Sequence, residues 1–140
     1  MLESDQSRRR LEFDLHLSHI TETHRALLEN SGKVAAFLLL ALGWLATSES
    51  ARSYLATTPR LAAIGALAVF AGWLFSAIAS WVGYRASNAA LSRLRELDFL
   101  SPPAYESRRI GPATLCACIF GNAALAGLLM AALLTLGTGG

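Results

Sequence analysis

The chain has 140 residues, of which 54% are hydrophobic and 16% charged, and it carries a formal net charge of +2. Charged residues make up about 25% of an ordinary soluble domain, so this composition lies on the membrane side of that average, and the length bounds the chain to one domain. So small a net charge, with no basic stripe interleaved with aromatics, excludes nucleic acid as an expected partner.

Residues 1–7 are polar and expected to fray. From Ser7 to Asn30 the pattern is that of an amphipathic helix: Phe13, Leu17, Ile20, His24 and Leu27 recur at helical spacing, and Leu11 and Leu15 widen the apolar face. Acidic and basic side chains are nearly balanced on the rest of this helix. That balance favours packing against protein over lying on a lipid surface, where a cationic polar face is usual. A cleavable signal peptide would open with a short basic stretch and an early apolar core. Here the first apolar run begins only near Val34, so no such signal is expected.

Val34 to Ser48 is short for a membrane span. Extended back through Asn30, Ser31 and Gly32, with Lys33 snorkelling towards the headgroups, it reaches the lower end of the spanning range. Glu49 to Arg60 is a polar connection in which Thr57, Thr58 and Pro59 signal the start of the next helix. The central stretch, Leu61 to Tyr84, carries no charge and is fenced by Arg60 and Arg85. As a helix it measures about 36 Å, enough to cross a hydrocarbon core of about 30 Å. Arg85 to Leu100, with Leu91, Leu94 and Leu97 in one seam, is expected to prolong that helix until Pro102 and Pro103 end it. Ile110 to Gly140 is again free of charge, with Pro112 suited to a first turn and the final glycines expected to fray.

The expected architecture is therefore all-α, an integral membrane helical bundle with three transmembrane helices. Residues 1–32 form a cytosolic amphipathic segment, and 33–140 a membrane domain with spans near 30–48, 61–84 and 113–136 and a cytosolic loop at 85–110. Of the 12 Lys and Arg side chains, only Arg52 and Arg60 fall on the side opposite the N-terminus. The positive-inside rule then puts the N-terminus in the cytosol and the C-terminus outside a bacterial inner membrane. Trp81 and Tyr84 fit the cytosolic aromatic belt.

Chemistry-bearing residues are sparse. Glu12, His16, His19 and Thr23 share a helix face, where a carboxylate could orient imidazoles. Metal binding favours histidines at i and i+4, and no second cluster converges on this one, so a solvated face is expected and no metal is assigned. Arg10 and His16, with five residues between them, resemble the motif of helical HEPN-type ribonucleases. That resemblance implies a four-helix cytosolic bundle for which this chain has no room. Cys116 and Cys118 point to different sides of a helix and read as packing residues. No phosphate loop, nucleophile elbow or paired intramembrane carboxylate occurs, so no cofactor and no enzymatic activity is expected. With Lys33 at the edge of the first span and no charge deeper, an ion-coupled transporter is disfavoured.

Asn122 is the most polar side chain within a span and must find a hydrogen-bond partner. Small residues recur every fourth position at Ala68, Gly72, Ser76 and Ser80, at Ala113, Ala117 and Gly121, and at Ala123, Gly127, Ala131 and Thr135. Such ladders let helices approach closely in lipid, within one chain or between copies. The functional expectation is a non-enzymatic assembly, anchoring or regulatory module. Its partners are the lipid bilayer and either copies of itself or a membrane or cytosolic protein. The alternatives are an oligomeric pore-forming, holin-like effector using Asn122 and the small-residue faces, and a membrane enzyme using Glu12, His16 and His19.

Overall fold

In a computed structural model of the chain, the described residues are 2–96, 106 and 109–138, with side chains from Arg10 onwards. They form helices α1 (Leu2–Thr47), α2 (Glu49–Thr57), α3 (Pro59–Glu96) and α4 (Pro112–Thr138). Leu97 and the Pro102-Pro103 stop lie outside the described residues. Three of the helices, α1 from Arg10, α3 and α4, are long and apolar enough to cross a membrane. The protein is an all-α membrane bundle.

The helices break where the chain can cap itself. Ser48 leaves α1 in an extended conformation (φ −92°, ψ 103°), and its hydroxyl accepts a 3.2 Å hydrogen bond from the Ala51 amide at the start of α2. Arg52 donates back to the Ala46 carbonyl at 3.0 Å, where the last turn of α1 leaves carbonyls without intrahelical partners. Thr58 is pushed out of the helical region by Pro59, which then opens α3. The connection expected to be merely polar is thus itself a helix. Its Ala51 and Leu55 are buried against the end of the bundle.

By contrast, α1 runs without interruption from its amphipathic part into its apolar part, through Gly32 and Gly43. A glycine costs about 1 kcal/mol in a helix. Breaking the backbone ladder in lipid would cost several kcal/mol per unsatisfied group, so the helix continues.

The three long helices differ in length, and that difference shapes the molecule. At about 1.5 Å per residue α1 is about 69 Å long, α3 about 57 Å and α4 about 40 Å. Leu27 and Tyr84 pack with Ile110 and Leu115 where α4 begins. Among the described residues, the helices that continue beyond that level are α1 and α3, as an antiparallel stalk. Ile20 of α1 meets Leu91 and Leu94 of α3 there, with Phe13 and Ala90 alongside. Leu91 and Leu94 are 0% exposed. The expected prolongation of the central span is present, and the amphipathic helix is what it packs against.

At the opposite end the core is Leu38, Leu45, Leu55, Ala62, Ala126 and Leu129. Here α4 runs closely along the start of α3: a Cβ added at Gly137 would lie 3.0 Å from that of Ala62. Gly137, expected to fray, is therefore a packed helical residue. Large apolar side chains such as Phe75 (75% exposed) and Leu40 point outwards along the bundle, as a lipid-facing surface requires.

The stalk helices carry charged side chains, so burial of Leu94 among them should stabilise the pair as in a soluble core. Leu94→Ala is expected to cost about 2–5 kcal/mol and to speed hydrogen exchange in α1 between Phe13 and Thr23 without altering the apolar half of the helix. Hydrogen-exchange mass spectrometry in nanodiscs reads this directly; unchanged protection there would contradict it.

Candidate functional site: a polar layer and its surroundings

Between the two apolar cores of the bundle lies a layer of polar side chains. Asn122 of α4 is 6% exposed, and its amide donates to the Ser31 hydroxyl of α1 at 3.1 Å and to the Ser31 carbonyl at 3.3 Å. From the adjacent position on α1, Asn30 donates to the Ser76 hydroxyl of α3 at 3.2 Å. Trp73 of α3 donates from its indole to the Ile119 carbonyl of α4 at 3.3 Å. Each pair of long helices is thus joined by a hydrogen bond at nearly the same depth. Where lipid on one side is as apolar as the neighbouring helix, such bonds fix which faces meet.

The small residues singled out from the sequence divide between two environments. Ser76 and Ser80 are buried between helices. Gly72, Gly121, Gly127 and Ala131 lie on the outer surface, and a Cβ at any of these three glycines would meet nothing within 4 Å. Ala113 and Ala117 also face outwards. The face that α4 presents to the bundle is Leu115, Asn122, Ala126 and Leu129 instead. Helical spacing marks a face but does not say which way it points.

On the stalk, Glu12 and His19 are exposed and His16 is half-buried, and all three border a shallow surface that also contains Leu11 and Leu15. Arg10 is exposed. No group of three or more His, Cys, Asp or Glu side chains able to hold a metal occurs among the described residues. Cys116 and Cys118 are free.

His24 was not distinguished from its apolar neighbours by the sequence pattern. It sits just outside the level where α4 begins, beside a cleft of about 190 Å³ that Arg109 and Thr114 also line. Its Nε2 is buried without a hydrogen-bond partner among the described residues, as are Ser87 Oγ and Asn88 Oδ1 on α3. Burial holds the imidazole below its ordinary value of 6.5. At the membrane boundary Glu29 accepts a 2.7 Å ion pair from Lys33, with Arg25 at 3.9 Å. The Lys33 hydrogen bond and charge hold the Glu29 carboxyl below its usual range.

Compared with protein-family models, curated proteins and solved structures, the chain matches none.

Two outcomes follow from this geometry. In a double-mutant cycle, Asn122→Ala and Ser31→Ala should couple by about 0.6 kcal/mol and at most about 1.7 kcal/mol. Additive losses in a detergent unfolding titration would show that the contact does not hold the bundle. Because the folded state favours neutral His24, the unfolded chain binds a proton that the folded chain resists. Stability should therefore fall as pH drops through about 6.5. His24→Gln should flatten that part of the pH profile; an unaltered slope would contradict it.

Proposed function

We propose that this chain is a non-enzymatic anchoring and assembly module, which fixes a helical docking stalk rigidly to the bacterial inner membrane. The observation that carries the reading is the continuity of α1 and α3. Both leave the bundle without a break and pack against each other through Ile20, Leu91 and Leu94. A helix pair that crosses the boundary unbroken transmits position from the membrane to whatever it holds. The distribution of cations supports a cytosolic stalk, since Arg10, Arg25, Arg85, Arg93 and Arg95 all lie at that end.

Among the described residues, the stalk carries an exposed apolar face. Leu11 is 64% and Leu15 63% exposed, next to Glu12, His16 and His19. Lipid covers the outward leucines of the bundle, but those of the stalk project beyond it into water. Adjacent exposed leucines in water mark a protein contact, and a second copy or a cytosolic protein would bury them. Gly127 and Ala131, open on the outer face of α4, offer a second surface through which copies associate in the membrane.

The geometry favours this reading over an oligomeric pore. The polar side chain that a pore would need at its lining, Asn122, is turned inwards and engaged by Ser31 of the same chain. Against an enzymatic site at Glu12, His16 and His19 stands their exposure, Glu12 and His19 lying open on the surface and His16 half-buried.

A photo-crosslinking residue in place of Leu15 tests the docking face in intact cells. The expected product is a protein adduct, to a second copy or to a soluble protein. Adducts to lipid alone would place this face on the membrane surface and overturn the proposal.

A further inference from the structure

The side of the bundle between α1 and α3 is not closed. The two helices are joined at Asn30 and Ser76, and on the loop side of that bond both line a lateral groove of about 530 Å³ floored by Leu129 and Leu133 of α4. Its α3 wall is lowered by Ala68 and Gly72, and a Cβ at Gly72 would meet nothing within 4 Å. Lys33 is the only charged residue that lines it. The groove follows α1 from Lys33 to Leu45, about 18 Å at the helical rise. That is close to one leaflet, about 15 Å of the roughly 30 Å hydrocarbon core.

We propose that this groove holds an acyl chain of an anionic phospholipid, whose phosphate sits at Lys33 in the leaflet on the arginine-bearing side. Length and lining point to a lipid tail: the groove spans about one leaflet, its walls are apolar along Phe37, Leu38, Val69 and Trp73, and Lys33 stands at the end where a headgroup lies.

Charge decides the headgroup. Lys33 folds back so that its ammonium lies 2.7 Å from Glu29, and Arg25 approaches the same carboxylate at 3.9 Å. Two cations share one anion at the mouth, which leaves one positive charge where headgroups lie. A tail exchanged between bulk lipid and the groove gains no hydrophobic energy, because both surroundings are apolar. Selection must then come from the headgroup. One cation at an anionic lipid surface corresponds to about fivefold enrichment.

The test is native mass spectrometry of the full chain released from nanodiscs of equimolar phosphatidylglycerol and phosphatidylcholine. One retained phosphatidylglycerol per chain is expected, about fivefold over phosphatidylcholine. Lys33→Gln should abolish that preference, and Gly72→Leu, which projects into open space, should reduce retention of both lipids. Quenching of Trp73 by brominated phosphatidylglycerol, competed by the unbrominated lipid, provides a second readout that does not depend on the variants. Equal retention of the two lipids by the unmodified chain would overturn the proposal. So would lipid-free dimers that Gly72→Leu dissociates, since these would place a second copy in the groove.

Discussion

Everything in this structure follows from one constraint: inside hydrocarbon a backbone amide or carbonyl has no water to turn to and must be satisfied by its own helix. Among the described residues, the chain leaves the helical conformation at Ser48, Thr58 and 109–111, where side chains, a proline or water can serve the exposed groups. Gly32 and Gly43 are weak points by propensity, yet α1 passes straight through both. Because α1 and α3 do not end where α4 begins, their excess length emerges as the stalk. Its charged side chains set the stalk apart from the apolar bundle.

Two different forces hold the two halves of that helix pair. In the stalk, Leu91, Leu94 and Ile20 are buried together amid charged side chains, and burial there is stabilising in the ordinary way. In the bundle, lipid is as good a neighbour as another leucine, so contacts are chosen by fit and by hydrogen bonds such as Asn122 to Ser31. The polar layer lies close to the handover between these regimes. His24, Ser87 and Asn88, with buried polar atoms that have no partner among the described residues, lie on its stalk side.

The spans, the extension of the second of them along Arg85–Glu96 and the buried setting of Asn122 could all be read from charge and periodicity, because each rests on a contrast between polar and apolar residues. The small-residue ladders could not be assigned a direction for the same reason. Alanine and glycine are equally at home against lipid and against a helix, so Gly121, Gly127 and Ala131 face outwards while Ser76 and Ser80 face in. Helix α2 escaped notice because only Ala51 and Leu55 of its 9 residues are buried, too few to make a periodic signal. His24 and Gly137 owe their importance to neighbours far away in sequence, Arg109 and Ala62, which no local pattern encodes.

The central claim is that α1 and α3 form one rigid pair from the bundle into water. Spin labels at Ser18 and Ser92, both exposed on the stalk, with Cys116 and Cys118 replaced by serine, test it by electron double resonance in nanodiscs. A single narrow distance distribution is the predicted result. A broad distribution spanning separated helices would contradict the account.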